Sequence, residues 1–231
     1  MDNRWFRKSS TQMKEMYKGK KIMIVAGGPS TNDVAWENLD YDYLWTCNYF
    51  YQNEKLKDKK VDLAILGNTV DFSNKDLKNK LNKDDSIVVI EPTHIRKTNT
   101  EEYLNFESEF KSNIFKFDAG YRNMDGVGIR LTILALTFEP SEVYLVGHDG
   151  YSKDMKAVHA FQGHDGLQQG ATHTDWNKWY ESILHSFRTI HELALENKVK
   201  LYNLGEGHEK NIGTEVSSKL FPLPQQIKSK L

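Results

Sequence analysis

At 231 residues the chain can bury a substantial core in one domain, and its 31 Lys and Arg against 32 Asp and Glu leave a formal net charge of −1, which argues against nucleic-acid binding driven by bulk charge. One cysteine, Cys47, excludes an internal disulfide framework and a cysteine-based zinc site. The start MDNRWFRKSS lacks the apolar core of a signal peptide and no apolar run reaches membrane-spanning length, so a soluble, cytoplasmic protein is expected.

Residues 1–19 predict a polar helix ending at Gly19. The apolar run KIMIVA, Lys21–Ala26, predicts a strand covered on both faces. Gly27-Gly28-Pro29-Ser30 follows it and leads into a short helix over Thr31–Leu39, capped by Ser30 or Thr31. Further strands are expected at Tyr43–Cys47, Val61–Leu66 and Ser86–Ile90, with a charged helix at Lys75–Leu81. The stretch from there to about Ala119 is mixed, with a short strand at Asn113–Phe117. An apolar helix is expected over Gly126–Phe138, a fifth main strand over Glu142–Val146, a long helix over Asp175–Asn197 and a last strand over Lys200–Asn203. Alternating strands and helices imply an α/β fold with a doubly wound, mostly parallel sheet. We expect a single domain over 1–231, with residues 150–175 inserted as a lid after the fifth strand.

Ligands of such sheets bind beyond the carboxyl ends of the strands. Those ends read Gly27-Gly28, Asn48, Gly67-Asn68 and Gly147-His148-Asp149, so small or polar groups share one rim. The glycine turn can offer backbone N–H groups to a phosphate, and Asn48 and Asn68 can read hydroxyls or phosphate oxygens without repelling an anion. Asp125-Gly126 can present the start of the next helix to the same ligand. There is no GxxxxGK[ST], and GGPS is not GxGxxG, which disfavours a P-loop or a standard NAD site.

The segment GHDGYSKDMKAVHAFQGHDGLQQGATHTD holds His148, His159, His164 and His173. Histidine suits proton transfer near neutral pH and also metal binding; a zinc site of His159 and His164 with a carboxylate is the lesser alternative, because the spacing matches no strong metal pattern, and no metal ligands are assigned. His94, His185, His191 and His208 are read as packing or solvated groups. Trp176, Trp179, Tyr180, Ile183, Leu184 and Phe187 recur at helical spacing, the pattern of a core face. The basic tail KLFPLPQQIKSKL is read as a docking segment, with peripheral membrane contact as the other reading.

The order strand-GPS, Cys47-Asn48, Gly67-Asn68, a glycine-led helix and then YLVGHDGY resembles the bacterial sialyltransferases of glycosyltransferase family 42. It is also similar to the related domain of motility-accessory flagellin glycosyltransferases and of archaeal 6-hydroxymethylpterin diphosphokinases. The resemblance runs from about Lys20 to Leu204, rests on the order of short motifs, and implies a Rossmann-like fold in a GT-A-like variant. It implies that Gly27, Gly28, Pro29, Ser30, Asn48, Asn68, Asp125, Gly126 and Asp149 hold the nucleotide. Gly27 stands where the sialyltransferases have an asparagine, and Asp125 where they have a serine. Tyr151 matches a lid tyrosine that assists the departing CMP phosphate, and His159 falls at the position of a second. His173 and His164 compete for the catalytic base, His173 being favoured by its place just before the long helix.

The implied function is transfer of a sugar from a nucleotide-activated donor, CMP-linked and nonulosonate-like, to a glycan or other hydroxyl acceptor. No cofactor is required on that reading, and family members often form homo-oligomers. The alternatives are an ATP- and Mg²⁺-dependent diphosphokinase acting on a pterin-like alcohol, with Asp149 holding substrate or Mg²⁺, and a non-catalytic nucleotide-binding module.

Overall fold

The computed structural model describes residues 9–92, 99–119, 126–149, 176–205 and 225–230. Seven strands form one sheet: β1 Lys21–Val25, β2 Tyr43–Cys47, β3 Leu63–Leu66, β4 Ile87–Ile90, β5 Ile114–Lys116, β6 Glu142–Val146 and β7 Lys200–Asn203. Their order is β5-β4-β3-β2-β1-β6-β7, and every neighbouring pair is parallel. The chain winds outward from β1 to β5 and then returns to β1's other side as β6. The switch point of the fold therefore lies between β1 and β6, with all carboxyl ends on one rim.

Alternation along the strands builds two cores. Ile22, Ile24, Trp45, Ile65, Val89 and Leu145 face one layer, which contains α1 Ser10–Tyr17, α5 Val127–Thr137 and α6 Trp176–Glu196. Met23, Val25, Leu44, Leu66, Val88 and Tyr144 face the other, which contains α3 Lys75–Asp84 and α4 Glu101–Glu109. Both faces are apolar because both are covered, as in a doubly wound sheet. Phe187 is buried on α6, as expected, and the expected residues 176–184 of that face lie outside the described side chains.

The structure differs from the sequence reading in two places. The expected helix over Thr31–Leu39 is one turn, α2 Ser30–Asp33, followed by a 3₁₀ turn at Trp36–Asn38. Val34 is extended between them, and the Trp36 indole donates to Thr31 O at 2.9 Å, so the helical ladder stops there. The mixed stretch before Ala119 contains α4, capped by the Thr100 hydroxyl and anchored by Tyr103 and Phe106. Its apolar face consists of few residues at wide helical spacing, which gives little periodic signal. Residues 1–8 lie outside the described residues, so the first helix is described only from Ser10.

The tail is tied to the domain. Ile227, in a short helical turn at Gln225–Lys228, packs against the second core, and Asn38 Nδ2 donates to Lys230 O at 3.0 Å. No described helix is long and apolar enough to cross a membrane.

Candidate functional site

The first part of the rim joins β1 to β6. Gly28 N donates to Gly147 O at 2.9 Å, and Ser30 N donates to Asp149 Oδ2 at 2.9 Å. Gly147 N donates back to Ser30 Oγ at 2.8 Å, and Thr31 Oγ1 donates to Ala26 O at 2.9 Å. The backbones touch so closely that only glycine fits: a Cβ on Gly28 would lie 2.2 Å from Asp149 Oδ2, and one on Gly147, at φ +72°, 2.3 Å from Thr31 Oγ1. The end of β7 joins in, since a Cβ on Gly205 would lie 2.5 Å from Ser30 Oγ and 2.7 Å from Asp149 Oδ1.

This alters one expectation. The amides of Gly28 and Ser30, read from the sequence as donors to a phosphate, are bonded within the protein. The Ser30 hydroxyl, read as a helix cap, accepts from Gly147 instead, and Pro29 occupies the cap position of α2. The turn is a joint between strands, and the Asp149 carboxylate fills the place an anion would take.

The second part lies across β2, β3 and α5. Asn48 follows β2 with φ 50°, a left-handed conformation that asparagine tolerates better than most residues. Its Oδ1 accepts Gly67 N at 2.8 Å, which orients the amide, and Nδ2 finds no acceptor among the described residues. Gly67 lies where a Cβ would meet Val127 Cγ2 at 2.7 Å, so the first turn of α5 packs directly on this strand end. Asn68 is half-buried beside it. Gly126 caps α5 without a side-chain hydrogen bond, and among the described residues a Cβ there would meet nothing within 4 Å. Among the described residues nothing crowds Gly126 at the start of this 11-residue helix, where the helix dipole favours negative charge.

Two charged groups that the sequence reading did not assign stand behind this opening. Glu91, just past β4, is paired with Arg130 of α5 at 2.6 Å, with both side chains almost wholly buried. Glu91 Oε1 also accepts Ala119 N at 3.0 Å. One carboxylate therefore ties the ends of β4 and β5 to the first turn of α5. The available signal was Arg130 itself, a lone charge within the apolar run GIRLTILAL.

His148, grouped in the sequence with the lid histidines, points inward instead. It is buried, its Nε2 lies 3.4 Å from Thr132 Oγ1, and burial pushes its pKa below the ordinary imidazole range. It is a neutral packing group between β6 and α5. Tyr151, His159, His164 and His173 lie outside the described residues, as do Asp125, His94 and His208. Of the two remaining histidines, His185 is exposed and His191 is buried on α6. No three His, Cys, Asp or Glu side chains among the described residues are placed to share a metal ion. A groove of about 540 Å³ beside α1, lined by Lys14, Phe115, Phe117 and Phe138, holds none of the predicted site residues.

No family model and no curated protein matches the chain. Among solved structures it is similar to the monofunctional alpha-2,3-sialyltransferase Cst-I of Campylobacter jejuni, with a TM-score of 0.59 at 14% identity over 98% of this chain and 85% of that one. It is also similar to the sialyltransferase CstII of the same organism in complex with the substrate analogue CMP-3FNeuAc, with a TM-score of 0.57 at 15% identity over 90% of this chain and 88% of that one. CstII in complex with a trisaccharide acceptor and CMP gives a TM-score of 0.56 at 14% identity, with the same shares covered. The chain therefore has the α/β fold of these sialyltransferases, over nearly its whole described length.

Proposed function

We propose that this chain is a glycosyltransferase that takes a sialic-acid-like sugar from a CMP-linked donor and passes it to a hydroxyl of a glycan acceptor. The observation that carries this reading is the meeting at Gly67 of an oriented asparagine and the start of α5, with no other described residue against Gly126. The fold likeness supports it, since the similar CstII structures hold CMP-3FNeuAc, or CMP and a trisaccharide acceptor.

In this reading the N-terminus of α5, with Asp125 and Gly126 before it, seats the donor phosphate. Asn48 and Asn68 read the nucleotide and sugar, while Gly27, Gly28, Pro29 and Ser30 form the adjoining wall. The acceptor oxygen attacks the anomeric carbon, and the bond from that carbon to the phosphate oxygen breaks, so CMP leaves with the electron pair. His173, or else His164, takes the proton of the acceptor hydroxyl as general base. Tyr151 and His159 donate hydrogen bonds to the departing phosphate, whose charge the helix start also stabilises. Residues 150–175 cover the site within a single domain and keep water from the donor. No metal is needed for these steps.

The test is a binding and turnover panel. CMP is expected to raise the melting temperature without Mg²⁺, as any ligand of the native state does by mass action. A CMP-sugar is expected to be turned over, with His173→Ala slowing turnover and leaving CMP affinity nearly unchanged. Stabilisation only by ATP or AMP with Mg²⁺ overturns the reading in favour of a diphosphokinase. CMP binding without turnover of any CMP-sugar overturns it in favour of a binding module.

A further inference from the structure

We propose that Asp149 is a specificity-determining residue that restricts this site to nucleotides carrying a single phosphate. The inference rests on the nucleotide-donor reading above and names the group that limits the donor class.

In a doubly wound sheet the turn after β1 is the ordinary seat for a pyrophosphate, because its amides point at the switch point. In this chain that seat has an internal occupant. Ser30 N is held by Asp149 Oδ2 at 2.9 Å, and Gly28 N by Gly147 O at 2.9 Å. The next two amides are also engaged, Thr31 N with Gly28 O at 3.1 Å and Asn32 N with Pro29 O at 2.8 Å. The carboxylate is wedged in place, since Gly28 and Gly205 approach it too closely to carry even a Cβ.

The remaining seat on the described rim is the start of α5, and it adjoins the filled one. A Cβ on Gly128 would lie 2.9 Å from His148 Nε2 and 3.4 Å from Ala26 Cβ, so the first turn of α5 rests against the ends of β1 and β6. A phosphate seated on α5 is thus next to Asp149. A second phosphate reaching toward the β1 turn meets bonded amides and a like charge, a repulsion that weakens binding most where the site is partly closed and water screens it least. Half-buried Asp149 acts here as a fixed anion at the position of the excluded group.

The test compares CMP with CDP, and AMP with ADP, by titration calorimetry on wild type, Asp149→Asn and Asp149→Glu. Asparagine keeps an acceptor for the Ser30 amide and removes the charge. Glutamate keeps the charge. Wild type is expected to bind CMP at least tenfold more tightly than CDP. Asp149→Asn is expected to narrow the CMP-to-CDP affinity ratio about tenfold, and Asp149→Glu to retain the discrimination. Equal affinity of wild type for CMP and CDP overturns the proposal, whether or not either variant folds. A CMP-to-CDP ratio unchanged in folded Asp149→Asn overturns it too. Binding of adenine in place of cytidine nucleotides sinks the donor assignment alone, and the AMP-to-ADP ratio then tests Asp149 in the same way. Failure of wild type to bind any of the four overturns both.

Discussion

The two halves of the carboxyl rim start from the same sequence device and end in opposite states. Between β1 and β6, a glycine turn after an apolar strand closes on itself: Gly28, Ser30, Gly147 and Asp149 satisfy one another. Between β2, β3 and α5, a polar residue after an apolar strand is oriented by one bond and left with donors to offer, beside a helix start that no other described residue crowds. The difference is a carboxylate that arrives from 119 residues away. A glycine-rich turn becomes an anion site only when nothing in the protein reaches its amides first.

The comparison is broken most severely from behind the open half. Arg130→Met leaves Glu91 buried without its counter-charge, which is expected to cost about 3–5 kcal/mol. Thermal melting is expected to show a fall of about 10 °C or more. The double variant Glu91→Met with Arg130→Met is expected to recover much of that, because a buried pair replaced by apolar groups is often neutral.

Acid probes the packed interior. Burial holds His191 down at about 4 and pushes His148 in the same direction. The unfolded chain takes up protons below about pH 6.5 while the folded chain does not. Their contribution is therefore full above that pH and is lost as pH falls toward 4. Unfolding free energies from denaturant titrations at pH 7 and 5 are expected to differ by on the order of 1–3 kcal/mol, with a flatter pH dependence in His191→Leu.

The closed half is broken sterically. Gly28→Ala drives a methyl into Asp149 and Gly147 O, with an expected loss of about 1–3 kcal/mol in urea unfolding. The open half is sharpened by Asn48→Asp. It keeps the acceptor for Gly67 N and removes the Nδ2 donors, so CMP affinity by calorimetry is expected to fall about tenfold or more, roughly 1.4 kcal/mol, with little change in melting. Gly126→Ala is the mildest: its methyl meets no described atom, and because alanine is a poorer helix cap than glycine it is expected to cost about 0.5–1 kcal/mol. Its methyl occupies the space proposed for the phosphate, so a loss of CMP affinity beyond that small stability cost is the outcome that marks this half as the ligand side.

Much of the architecture is legible in the residues themselves. β2, β6 and β7 have the bounds read from the sequence, because each is a short apolar run bordered by turn residues. Parallel winding then brings Gly27, Asn48, Gly67 and Asp149 to one rim whatever the strand order, since every strand leaves the sheet on the same side. The helix at Glu101–Glu109 was not legible, because Tyr103 and Phe106 are too sparse a stripe to stand out.

The amino-acid pattern alone determined the fold class, the rim and the residue types on it, because strand and helix periodicities are local and repeat many times. The tertiary structure decided which of those groups are already bonded: Asp149 to Ser30, Glu91 to Arg130, Asn48 to Gly67, and His148 turned inward. Each is a single contact between distant parts of the chain. Sheet register and helix packing bring its partners within hydrogen-bond reach, and no local pattern encodes that distance.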